Sequence, residues 1–155
     1  MKNLTLILIL LVALILTSIG ITVDLQYSRV STDREQVKVA LKFGAGDLNP
    51  HSFLHPPFFY YITFILYGVF FIIGNFFGIF PSLAAFEGFY FSDPSIFHLI
   101  SRIFVLVLMV AAIIITYKIA DKIFNRRTAL VASFLMAISP VVIKWSHYAS
   151  TDIPQ

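Results

Sequence analysis

Long uncharged stretches constrain this chain more than any other feature. Asn3 to Val23 is 21 residues without a charged side chain, and Phe58 to Phe80 is 23. Ile103 to Tyr117 adds 15 and Thr128 to Ile143 adds 16, each held between Lys or Arg residues. At about 1.5 Å per residue, about 20 apolar residues in a helix cross a hydrocarbon core of about 30 Å. The two shorter stretches reach that span if their flanking cations snorkel to the interfaces. Composition agrees: 59% of the 155 residues are hydrophobic and 12% are charged. Soluble domains sit at roughly 45–50% and 25%. A water-soluble globule, a disordered tail and a disulfide-stapled module are therefore excluded. With no cysteine, thiol catalysis and Cys-type zinc sites are excluded too. The net charge of +3 is small and dispersed, which argues against a nucleic-acid partner.

These stretches predict an all-α integral membrane fold. It has about three transmembrane helices, over 3–23, 99–120 and 128–143. A membrane-associated aromatic helix covers 58–80, and a short amphipathic helix lies in the first outer loop, 24–57. Lys2 also resembles the n-region of a signal peptide. The apolar stretch after it is long and lacks a clear A-x-A site, so it reads as an uncleaved first helix.

Orientation follows from the basic residues. Lys118 to Arg127 holds four Lys/Arg and one Asp, which places that loop in the cytoplasm. Residues 87–102 and 144–155 then lie outside. Lys2 places the N-terminus inside, and so puts the loop 24–57 outside as well. Both ends of 58–80 are then outside, and a single crossing conflicts with that count. Gly68, Gly74, Gly78 and Asn75 suit an interfacial, broken or re-entrant segment. Gly74 and Gly78 also have the spacing of a helix-packing face.

The outer loop 24–57 carries Asp24, Asp33, Glu35, Asp47 and two histidines. Val37, Ala40 and Leu41 fall at helical spacing, so Asp33 to Phe43 reads as the amphipathic helix. Ser31 or Thr32 would cap it, with Glu35 completing a capping box. On that reading Asp33 and Glu35 are first-turn acids that favour the positive end of the helix. His55 precedes Pro56-Pro57 and is either an interface residue or a group facing a reaction centre. Arg102 is either a headgroup anchor or a phosphate ligand. Ser139-Pro140 breaks the last stretch, and Trp145, His147 and Tyr148 form an interfacial belt.

Four motifs then occur in order. They are Thr32-Asp33-Arg34-Glu35 running into Ala40 through Pro50, and His55-Pro56-Pro57-Phe58-Phe59-Tyr60-Tyr61. Next comes Ser101-Arg102 leading a helix into the basic loop, and last Ser146-His147-Tyr148-Ala149-Ser150-Thr151-Asp152. Together they resemble the N-terminal part of GT-C superfamily membrane glycosyltransferases, the group of the dolichyl-phosphate-mannose protein mannosyltransferases and aminoarabinose transferases. One departure is that the family's adjacent Asp-Glu is here split by Arg34.

The resemblance implies a hexosyltransferase-like enzyme. It would move a sugar from a polyprenyl-phosphate donor to an extracytoplasmic protein, lipid or glycan, in a multi-pass plasma-membrane protein. Asp33 is the implied catalytic acid, with Glu35 as its alternative and Asp152 as a further acid. Arg102 and His55 are the implied substrate-binding residues. A divalent metal is possible by the resemblance, and no metal ligands are assigned. The short chain is expected to be an incomplete and inactive fragment. The alternative is a small non-enzymatic polytopic protein, an assembly partner or scaffold. A transporter would need a charge inside a span, and every span interior lacks one.

Overall fold

The computed structural model describes residues 4–28, 30–51 and 55–149, and every regular element among them is helical. In chain order these are α1 (Leu4–Ser18), α2 (Ser31–Lys42), α3 (Phe58–Phe76), α4 (Leu83–Ser92), α5 (Ser95–Ile123), α6 (Arg126–Ala137) and α7 (Pro140–Ser146). A 3-10 turn, Phe43–Ala45, extends α2. Two helices are long and apolar enough to cross a membrane, α3 and α5. The pair α6 and α7, bent by 54°, makes a third if it is one broken span. The expected all-α membrane fold is found, with two to three helices long and apolar enough to span where about three were expected. α3, read from the sequence as membrane-associated without crossing, is one of them by length and composition, and α1, read as a span, is a shorter apolar helix.

The chain divides into two compact units. Residues 22–101 with Ala149 form one, and residues 4–21 with 102–148 form the other. The first is built on α2, α3, α4 and the first turns of α5. Within α2, Gln36, Val37, Val39 and Ala40 are buried, while Lys38 and Lys42 stay exposed. This is the amphipathic face read from the sequence. Its capping box is not formed. The N-cap is Val30, which makes no side-chain cap bond, so Ser31 and Thr32 already sit inside the first turn. A residue with helical backbone cannot present its hydroxyl as an N-cap, and Thr32 Oγ1 is buried without a hydrogen-bond partner.

α3 is one continuous helix through Gly68 and Gly74. It ends where the chain turns back on itself. Gly78 adopts φ +74°, and the N–H groups of Ile79 and Phe80 both donate to Gly74 O. Asn75 Nδ2 then donates to Phe80 O at 2.7 Å. A Cβ on Gly74 would run into the Phe80 ring. The spacing of Gly74 and Gly78 therefore serves a chain reversal. It brings Phe80 against Phe70 and Phe86, with ring centroids 5.3 and 5.0 Å away. Val37, Ala40, Tyr67, Phe80, Phe86 and Phe97 are the buried core of this unit. Part of the phenylalanine excess is thus core, while Phe58, Phe76 and Phe77 remain exposed.

α4 overlaps the start of the segment 87–102 read as lying outside. Its start is set by Ser82, whose hydroxyl accepts from Ala85 N at 3.2 Å. Asp93 Oδ1 accepts from Ser95 N at 3.0 Å, and α5 begins four residues earlier than the expected span at 99.

The second unit is plainer. α1 ends at Ser18, short of Val23, and Gly20 follows with φ +95°. Its core is Ile9, Ala13, Met109, Ile113 and Ala137, which joins α1, α5 and α6. Ala129 and Ser133, also buried, put small residues on α6. Small side chains let helix backbones approach closely in an apolar solvent. Pro140 opens α7 at its first position and sets the bend after Ser139, as the sequence indicates.

Candidate active site

Asp33 is the third residue of α2, and its side chain is fully buried. A lone buried carboxylate would cost several kcal/mol (roughly) unless donors surround it. Two are present. Ser28 Oγ donates to Oδ2 at 2.6 Å, and the Ala149 N–H donates to Oδ1 at 3.0 Å. His98, on the first turn of α5 and 4% exposed, places Nδ1 at 3.4 Å from Oδ1. That is ion-pair distance, but the angle does not make a hydrogen bond. All four residues belong to one unit.

Further polar groups in this unit are also buried in pairs. Gln36 Nε2 donates to Thr63 Oγ1 at 3.3 Å, and Thr63 donates to Phe59 O at 2.9 Å. The Tyr67 hydroxyl donates to Phe97 O at 3.1 Å and shares a 2.6 Å bond with Ser101. Each pairing reduces the cost of burying a polar group within an aromatic core.

Arg102 belongs to the other unit and is likewise fully buried. Its guanidinium donates to Ile21 O at 2.9 Å and lies 5.5 Å from the centre of the Tyr148 ring. A planar cation over an aromatic face is attracted by the ring quadrupole.

The other candidates are more dispersed. Glu35 is half-buried two residues along α2, and His55 is half-buried just before Pro56. Asp152 lies outside the described residues. In the loop between α2 and α3 the exposed Asp47 and His51 side chains meet at 2.7 Å. That hydrogen bond, with one from the Asn49 N–H, holds the Asp47 carboxyl below the usual carboxylate value. Hydrogen bonds from the Ser95 side chain and N–H lower Asp93 in the same way. Among the described residues no three His, Asp or Glu side chains gather as a metal site needs. Asp33 and His98 offer two donors, fewer than the three protein ligands usual even in open metal sites. In the unit of α1 and α6, an apolar groove of about 380 Å3 is lined by Leu8, Ile9, Val12, Leu130, Val131 and Phe134.

Sequence reading named Asp33 and Arg102 and missed His98. The available signal was its place one helical turn before Arg102, since residues four apart share a helix face. The Ala149 N–H is a backbone donor, and no residue identity announces it.

Residues 97–155 match the family model described as dolichyl-phosphate-mannose-protein mannosyltransferase. The matched segment is less than half of the chain and holds His98, Arg102 and Asp152, while Asp33, Glu35 and His55 lie before it. No curated protein and no solved structure matches the chain. The match supports a GT-C-type glycosyltransferase relationship and, with the apolar helices, a multi-pass membrane protein.

Proposed function

We propose that the chain is the acid- and phosphate-handling part of a membrane glycosyltransferase that uses a polyprenyl-phosphate sugar as donor. The observation that carries this reading is the mannosyltransferase family match over 97–155, which contains the fully buried Arg102. The acceptor is an extracytoplasmic hydroxyl or amine on protein, lipid or glycan. The protein is placed in the plasma membrane with the loop 24–57 on the outer side.

In the reaction, the acceptor oxygen or nitrogen bonds to the sugar anomeric carbon. The bond from that carbon to the phosphate oxygen breaks, and its electron pair leaves with the polyprenyl phosphate. The acceptor proton passes to a carboxylate, for which Asp33 is proposed, with Glu35 and Asp152 as alternatives. Asp33 Oδ2 already accepts the Ser28 hydroxyl. The acceptor hydroxyl takes that place when it is bound. Arg102 is proposed to stabilise the charge that grows on the leaving phosphate, which its planar fork suits. His55 is proposed as a second substrate contact at the head of α3.

Binding of a polyprenyl-phosphate hexose to the chain in lipid nanodiscs tests the reading. Saturable binding, competed by polyprenyl phosphate and not by free hexose, is expected. Equal competition by both, or no saturable binding, would contradict it.

A further inference from the structure

The junction of α5 and α6 carries charge that neither the proposed substrate groups nor the fold accounts for. Lys118, Lys122, Arg126 and Arg127 fall within ten residues, and all four are exposed. Asp121 is the one acid among them. Among the described residues none of the four cations forms an ion pair. Lys122 has an ordinary reason for its place, since it lies in the last turn of α5, where the helix dipole favours a cation. Arg126 and Arg127 have no such reason. They are the first two residues of α6, at the end where the dipole disfavours positive charge. Lys118 and Lys122, four apart on α5, form a like-charged and unfavourable pair on one helix face.

The same stretch is apolar between its charges. Ile119, Ile123 and Phe124 are exposed, Phe124 at 69%. Their place along α5 decides what meets them. α5 has 29 residues, about 43 Å at 1.5 Å per residue, against a hydrocarbon core of about 30 Å. Its uncharged part is 103–117, so Lys118 is the first charge beyond the core. Cations interleaved with exposed aliphatic and aromatic side chains at this depth match a headgroup layer, which offers phosphate to the charges and acyl chain to the apolar groups. A soluble anion would meet the charges and leave Phe124 and the two isoleucines in water. We propose that residues 118–127 form a docking surface for the headgroups of anionic glycerophospholipids. The surface lies about 24 Å along α5 from Arg102 and does not depend on the sugar-transfer reading.

The test uses the full chain in vesicles, with a tryptophan placed in the surface. Trp145 is the single tryptophan of the sequence, so Phe124→Trp with Trp145→Phe reports from the loop alone. Quenching by brominated phosphatidylglycerol is compared with quenching by brominated phosphatidylcholine. A preference for phosphatidylglycerol of at least about fivefold is expected at low salt, the effect of one cation at a charged surface. It should fall towards none in 1 M salt, where the screening length is about 3 Å. Replacing Lys118, Lys122, Arg126 and Arg127 together by Gln should abolish it. Lys38→Gln with Lys42→Gln, both exposed on α2, should leave it unchanged. Equal quenching by the two lipids at low salt would overturn the proposal, as would a preference that survives 1 M salt, and neither arm needs a change at the four cations. A preference retained by the fourfold Gln variant would also overturn it. Loss of the preference on adding inorganic phosphate or polyglutamate, at the lipid's own phosphate concentration, would assign the cations to a free anion or an acidic protein and contradict the lipid surface.

Discussion

The two units solve the same problem, burial of a cation or anion in an apolar fold, in different ways. In the unit of α2 and α3 a carboxylate is enclosed by several short polar contacts: Ser28, Ala149 N–H and His98 surround Asp33. Neighbouring pairs such as Gln36 with Thr63 extend the polar network. In the unit of α1, α6 and α7 the buried charge is a long cation, Arg102, which reaches a main-chain oxygen and lies over an aromatic face. A carboxylate is a compact acceptor held by short donors, whereas a guanidinium is a planar, delocalised donor that also stacks on a ring. The first arrangement should tolerate little change in shape, and the second little change in charge geometry.

The largest expected effect is at Arg102. Arg102→Ala leaves Ile21 O without its donor, removes the cation over Tyr148 and empties the space of a large buried side chain, and it should lower stability by about 3–5 kcal/mol. Arg102→Lys keeps the charge but loses the fork, so unfolding should show only partial recovery. Full recovery by Lys would show that charge alone matters there.

Asp33→Ala comes next. It strands the Ser28 hydroxyl and the Ala149 N–H, each at about 1–3 kcal/mol. A loss of about 2–4 kcal/mol in denaturant or thermal unfolding is predicted, against less than about 0.5 kcal/mol for exposed Lys38→Ala on the same helix. Equal effects at the two positions would break the view of Asp33 as a satisfied buried anion.

Gly74→Ala should cost about 1–3 kcal/mol, because its methyl meets the Phe80 ring and the ring sits in an occupied aromatic core. Pairing it with Phe80→Ala should recover part of the loss in a double-mutant cycle. Gly68→Ala is the control, since nothing lies near its Cβ position.

The smallest effect is outside both cores. His51 holds Asp47 below the ordinary carboxylate value of 3.8. A depressed folded value means that the pairing contributes above the unfolded carboxylate's range and is lost as pH falls through the folded value. Carbon-13 NMR should therefore place the Asp47 midpoint below 3.8, and His51→Ala should move it upward. Both groups are exposed, so global stability should barely respond.

Much of this was legible in the sequence, for identifiable reasons. Uncharged stretches mark membrane helices because a charge in the bilayer centre costs about 3 kcal/mol, and α3 and α5 fall on them, although the loop charges alone had set α3 aside as a segment that does not cross. The buried face of α2 follows from Val37 and Ala40 at helical spacing. Pro140 announced the break before α7. The reversal after α3 was not legible, because Gly74 and Gly78 have the same spacing in a packing face and in a turn, and only Phe80 decides between them. At the candidate site, Asp33 stood out as an acid in an ordered motif. His98 did not, because its meaning depends on α2 lying against the first turn of α5, a contact between residues far apart in sequence. The start of α2 was misread for a similar reason. Ser31 and Thr32 look like caps, but the helix begins early enough to carry Asp33 into the core.

On the proposed function, this chain handles a polyprenyl-phosphate sugar through separate phosphate and acid roles. Equilibrium binding of a polyprenyl-phosphate hexose to the wild-type chain, Arg102→Lys and Asp33→Asn in nanodiscs tests it most directly. The prediction is that Arg102→Lys weakens binding by about tenfold, as loss of a charge-assisted forked contact would, while Asp33→Asn leaves affinity within about twofold, since a base acts on the acceptor and not on donor binding. Binding that ignores Arg102, or that is lost with Asp33 in a protein that still folds, would contradict it.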